Sequence, residues 1–134
     1  MLSGQCHCGE AGWSINPTPD AATSCNCRFC RRYSVLWAYG IDGQSVHITG
    51  ASAVYIRRDL DNPRAEFHFC PTCSALVCWK ALDVDENGDR RLAVNLRLAD
   101  PSDIGSIPLR LFDGLETFEA LEDANRSVQD LLLP

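Results

Sequence analysis

The sequence has no apolar run near the roughly 18 residues that a membrane-spanning helix needs. Its first ten residues, MLSGQCHCGE, lack both the basic stretch and the apolar core of a secretion signal, so the expectation is a cytoplasmic protein without membrane contact. Lysine is almost missing: Lys80 stands alone beside eleven arginines. Arginine in that proportion suits planar recognition of carboxylates, and a GC-rich genome produces the same bias. A surplus of positive charge is also lacking. Residues 1–67 hold six acids and six bases, residues 68–134 hold twelve and six, and the net charge is −6. Nucleic acid is therefore not an expected partner. There is no repeat, linker or low-complexity tract, and 134 residues suffice for one domain with one core, taken as residues 1–134.

Turn signals are frequent and the apolar runs between them are short, which predicts a mainly β chain of short antiparallel strands with little helix. Gly12 to Asn16 reads as a strand closed by the turn-prone NPTPD. In the stretch from Val35 to Ile41, period-two alternation sets Val35, Trp37, Tyr39 and Ile41 on one face. VHIT and AVYIRR flank Gly50 and read as a hairpin. AEFHF, ALVCWKAL, RLAVNLRL and IPLRLF read as further strands, with DENGD a polar turn. DPSDI reads as one helical turn and EDANRSVQDLLL as a terminal helix.

What the chain has in excess is cysteine, eight of them. In a reducing compartment, clustered cysteines read as metal ligands or catalytic thiols before disulfides. They fall into Cys6-x-Cys8, Cys25-x-Cys27-x-x-Cys30, Cys70-x-x-Cys73 and a solitary Cys78. A C-x-x-C at a strand end wraps both sulfurs around one ion, and Pro71 presets the tight turn that this needs. A C-x-C pair also chelates one ion from a loop. Two pairs supply four tetrahedral ligands, so Cys6, Cys8, Cys70 and Cys73 predict a closed structural zinc site. A disulfide within C-x-C is strained, which disfavours a pair of bridges.

Cys25, Cys27 and Cys30 are left over as three ligands for a second zinc with one open position, the catalytic form of a zinc site. Arg28, Arg31 and Arg32 lie around them, with no acid between Ala21 and Ile41. Those arginines favour thiolates and offer a clamp for an anionic ligand. A thiol-bearing small molecule with carboxylates suits both features. Alternatives remain at this point. A protein group such as Cys78 or His68 could close the second site, or the trio could be a redox switch. Cys78 sits in an apolar strand as a small hydrophobe would, and His7 is expected to point away from its neighbours.

The ordered motifs GQCHCG, CNCRFCRR and FHFCPTC resemble the GFA (glutathione-dependent formaldehyde-activating enzyme)/CENP-V family over about residues 3–122. The resemblance implies a zinc-stapled β-tent, with Cys6, Cys8, Cys70 and Cys73 as the structural set. Cys25, Cys27 and Cys30 are then the catalytic set, whose metal accepts the glutathione sulfur. The implied reaction joins formaldehyde to glutathione, giving S-hydroxymethylglutathione; its reverse is a carbon–sulfur lyase reaction. The implied partners are a thiol such as glutathione and an aldehyde. Because CENP-V is a chromatin-linked relative, a non-catalytic zinc-stapled protein-interaction module is the competing expectation. The chain departs from the family pattern at Ser74, where glycine is usual, and at Cys78, where an aromatic is common. It also carries Arg110-Leu111-Phe112 and Phe118 where the family shows a His-Ile-aromatic segment and a tryptophan.

Overall fold

The computed structural model describes residues 1–121 and 125–132. In chain order the elements are β1 (Leu2–Gln5), β2 (Gly12–Ile15), β3 (Ala22–Cys25), α1 (Cys30–Tyr33), β4 (Trp37–Ile41), β5 (Val46–Thr49), β6 (Ala53–Ile56), β7 (Ala65–Phe69), β8 (Leu76–Ala81) and β9 (Arg91–Asn95). A short 3-10 turn (Leu96–Leu98) follows, then α2 (Pro101–Ile104), β10 (Leu109–Asp113), β11 (Glu119–Ala120) and α3 (Gln129–Leu132). The molecule is mainly β, as expected, and each described α-helix is a single turn of four residues.

Strands β1, β2 and β5 form a small sheet, and the other eight form a large one in the order β11-β10-β3-β4-β9-β8-β7-β6. All pairings are antiparallel except β3 with β10. That parallel contact sets Cys25 opposite Phe112, carrying the C-terminal end of β10 to the trio.

Alternation along the central strands feeds two apolar clusters. Leu36, Ala38, Leu92 and Val94 point into the larger one, which Trp13, Ile15 and Val46 of the small sheet complete. Val35 and Trp37 point the other way, into a cluster of Phe29, Phe67, Leu76, Cys27 and Cys30. Burying each large side chain contributes about 1.5–3 kcal/mol, so both faces of β4 hold the fold together. Buried Asn95 joins the layers. Its amide donates to the Leu76 carbonyl at 2.9 Å, and its backbone carbonyl accepts from Trp13 Nε1 at 3.0 Å.

Three expectations need correction. VHIT and AVYIRR do not pair: β5 joins β2, and β6 joins β7. At Gly50 the chain runs so close to the Glu10 carbonyl that a β-carbon would lie 2.0 Å from its oxygen, and the backbone takes φ +70°. The chain thus passes from one sheet to the other there. RLAVNLRL is strand only to Asn95, whose side chain accepts from Arg97 N at 3.1 Å and turns the chain into the 3-10 segment. The helix read over EDANRSVQDLLL is limited to Gln129–Leu132 among the described residues, and positions 122–124 and 133 of that stretch lie outside them.

Candidate metal centre

Two thiol groups form, each with its sulfurs within 4.8 Å of one another: Cys6, Cys8, Cys70 and Cys73, and separately Cys25, Cys27 and Cys30. All eight cysteines are free, Cys78 included.

The first group joins the loop after β1 to the turn between β7 and β8. Sγ of Cys6 and Cys8 are 3.6 Å apart, and those of Cys8 and Cys70 are 3.5 Å apart. A tetrahedral zinc with bonds near 2.3 Å sets sulfurs about 3.8 Å apart, so four thiols packed this closely fit the ion. Backbone amides point at the sulfurs, Ala11 N–H at Cys6 (3.3 Å) and Cys73 N–H at Cys70 (3.5 Å). Amides of Cys8 and Ala75 hold the Cys73 thiol down to about 6, favouring its thiolate. A hydrogen bond from Thr72 Oγ1 to the Glu10 carboxylate ties the two loops together beside the cluster.

The second group comes from one short segment. Cys25 ends β3, Cys27 lies in the following turn and Cys30 opens α1. Amides again meet the sulfurs: Cys27 N–H reaches Cys25 Sγ at 3.4 Å and Cys30 N–H reaches Cys27 Sγ at 3.2 Å. Trp37 Nε1 donates to Cys30 Sγ at 3.3 Å, fixing that thiol against the aromatic cluster. Shared hydrogen bonds from Cys25 and Cys30 pull the Cys27 thiol far below its usual range, while the same sharing pushes its two partners up. Three thiols so close cannot all ionise without a cation, and the donor set therefore fits a thiophilic ion. Space points the same way. A β-carbon on Gly114 would stand 2.7 Å from Cys25 Sγ and 2.9 Å from Cys27 Cβ, so only glycine lets this turn close over the thiols.

No His, Asp or Glu joins the trio among the described residues. His68, one candidate to close it, has both ring nitrogens engaged, Nδ1 with the Ala51 carbonyl at 3.1 Å and Nε2 with Glu66 at 3.0 Å. Cys78 is fully buried in the larger apolar cluster, where burial pushes its thiol up to about 12.

The three arginines of the motif part ways. Arg28 and Arg32 line a groove of about 550 Å³ with Arg58, Asp59 and the rings of Phe29, Tyr33 and Tyr55. Arg31 instead borders a cavity of about 390 Å³ that Cys25, Cys30 and Arg97 also line. Phe112 and Phe118 meet edge to face at 5.0 Å and line a third cavity with Tyr39 and Trp79.

Sequence reading missed two supports of the trio. Arg57 donates from Nη1 to Cys27 Sγ at 3.6 Å while Asp59 grips its other nitrogens; the R-x-D spacing after β6 was its only signal. Asp113 anchors the Gly114 turn. It accepts from Asn26 Nδ2 at 3.1 Å, from backbone N–H groups of Glu116 and Thr117, and from Thr117 Oγ1. Asp113-Gly114 is a turn dipeptide that a pass for turn signals finds, but its packing on Asn26 is not local.

Among the described residues no helix is long and apolar enough to cross a membrane. No protein of curated function matches the chain. A crystal structure of a Rhodobacter sphaeroides protein shares its fold, with a TM-score of 0.55 and 24% identity over 81% of this chain and 99% of that one. Residues 1–104, which contain both thiol groups, match the family described as glutathione-dependent formaldehyde-activating enzyme. With that match covering most of its length and both thiol groups assembled in the fold, the chain belongs to the glutathione-dependent formaldehyde-activating enzyme (GFA) family.

Proposed function

We propose that the protein is a zinc-dependent enzyme of carbon–sulfur chemistry, making or breaking the adduct of a glutathione-like thiol with an aldehyde. The observation that carries this reading is the trio of thiols with no fourth ligand among the described residues. Cys6, Cys8, Cys70 and Cys73 hold the structural zinc, and Cys25, Cys27 and Cys30 hold the catalytic one. Zinc bound there supplies an open coordination position and a Lewis acid that ionises an approaching thiol at neutral pH.

The rest is the chain's own work. Gly114 and Trp37 confine Cys25 and Cys30, keeping the trio's sulfurs together. Arg28, Arg32 and Arg58 give the neighbouring groove a positive lining over an aromatic floor, which suits the carboxylates of glutathione. In the forward direction the sulfur's electron pair attacks the carbonyl carbon, the carbon–oxygen π pair moves to oxygen, and oxygen takes a proton. The reverse breaks the carbon–sulfur bond and returns thiol and aldehyde. Free thiols throughout suit a reducing cytoplasm.

Metal counting with glutathione titration tests the proposal. Two zinc ions per chain are expected, with one lost in Cys27→Ala while the fold persists. Glutathione at about 100 times its Kd should add about 2.7 kcal/mol of stability by mass action, and S-hydroxymethylglutathione should form from glutathione and formaldehyde. Two tightly bound ions with no thiol response would overturn the proposal and favour a non-catalytic interaction module.

A further inference from the structure

Arg57 is the one cation whose side chain reaches a trio sulfur among the described hydrogen bonds, and its position is fixed from behind. Its Nε and Nη2 donate to the two carboxylate oxygens of Asp59 at 3.0 and 2.6 Å, leaving Nη1 aimed at Cys27 Sγ 3.6 Å away. With 16% of its side chain exposed, Arg57 is half-buried and its contact with Cys27 is only partly screened, while Asp59 grips it from the solvent side. Arginine keeps its charge at every working pH, so this is a permanent positive group against the thiols.

Charge counting shows what it does. Three cysteine thiolates outnumber the two charges of a divalent ion by one, and a thiolate as fourth ligand doubles that excess. In a half-buried site a growing negative charge disfavours an anionic ligand and favours a neutral one such as water or imidazole. A guanidinium touching one of the sulfurs cancels one unit of the excess. We propose that Arg57, held by Asp59, is the positioning residue that makes the open position of the Cys25–Cys27–Cys30 site selective for a thiolate over neutral ligands. This rests on the reading of the trio as an open metal site and adds which residue sets its ligand preference.

The test compares wild type with Arg57→Met, Arg57→Lys and Asp59→Asn, each loaded with cobalt(II), whose d–d and charge-transfer bands, already set by the cysteine thiolates, change when a fourth ligand joins the trio. Glutathione is titrated as the anionic ligand and imidazole as the neutral one. Circular dichroism confirms that each variant folds. Arg57→Met is expected to bind glutathione about 10-fold more weakly, the low end of what outer-shell changes cost in metal affinity or activity, with imidazole affinity unchanged. Arg57→Lys keeps the charge and should recover most of the loss. Asp59→Asn keeps the cation but loosens its aim, and should fall between wild type and Arg57→Met. Glutathione affinity in folded Arg57→Met equal to wild type, or an equal loss for imidazole, overturns the inference and leaves the proposed function standing. Should Arg57→Met not fold, Asp59→Asn decides by the same comparison. Failure of wild type to bind glutathione at all overturns both.

Discussion

At Ser74, directly after the last cysteine of the four-thiol group, the backbone takes φ +66° and its N–H donates to the Cys70 carbonyl at 3.0 Å. A side chain in that left-handed region costs about 1–2 kcal/mol, whereas glycine gives back about 0.5–1 kcal/mol of that gain through its freer unfolded chain. Ser74→Gly is therefore expected to stabilise the zinc-loaded protein by about 0.5–1 kcal/mol, a rise in Tm of roughly 2–4 °C. A Tm that does not rise would mean that the serine hydroxyl offsets the backbone strain. Gly114 is the opposite case, since space and not φ demands glycine there. In Gly114→Ala either Cys25 Sγ rotates away or the turn lifts, because the new carbon would overlap both Cys25 and Cys27. The expected outcome is one zinc per chain instead of two, with circular dichroism unchanged. Two zinc ions retained at wild-type affinity would refute the cradle.

Among the elements, the turn from Asp113 to Phe118 shows most clearly what a sequence yields and what it withholds. Alternation and turn residues locate β4, β7, β8 and β10 because those signals are local. The two thiol groups were legible for the same reason, as C-x-C and C-x-x-C bring sulfurs together within a few residues. The parallel pairing of β3 with β10 leaves no such record, nor does the bond between Asn26 and Asp113, 87 residues apart. Nor did pattern reveal that Gly50 carries the chain between sheets, because a hairpin and a sheet switch read alike. The turn itself is predicted to be robust to acid. Hydrogen bonds from Asn26, then from the Glu116 and Thr117 amides, lower the Asp113 carboxylate to about 2. A depressed carboxylate contributes stability that is complete above its unfolded pKa of about 3.9 and lost as pH falls through the folded value. Asp113→Asn should thus lower Tm by the same amount at every pH between about 5 and 8, the difference closing only below about pH 4. A difference that changes between pH 5 and pH 8 would show that another group holds the turn.

For the whole molecule, the question is what each thiol group holds together. The four-thiol group ties the loop leaving the small sheet to the β7–β8 turn of the large one, whereas the three cysteines of the trio come from one segment, so an ion there would join no distant stretches of chain. Structural zinc contributes roughly 10–16 kcal/mol in small domains, comparable to the entire 5–15 kcal/mol stability of a typical fold. Cys73→Ala should accordingly fail to fold, where Cys27→Ala folds and loses only one ion. The same asymmetry predicts two stages on titration with a zinc chelator. Three protein ligands hold an ion less firmly than four, so the trio should empty first. Trp37, whose Nε1 donates to Cys30 Sγ, then reports that stage by fluorescence while circular dichroism stays constant. Trp13, buried between the sheets at 3% exposure, reports the second stage, in which the staple opens and secondary structure is lost. Trp37→Phe should abolish the first fluorescence change and leave the second in place. A single concerted stage, with both signals lost at one chelator concentration, would mean that the trio also holds the fold and would remove the distinction between staple and reaction centre.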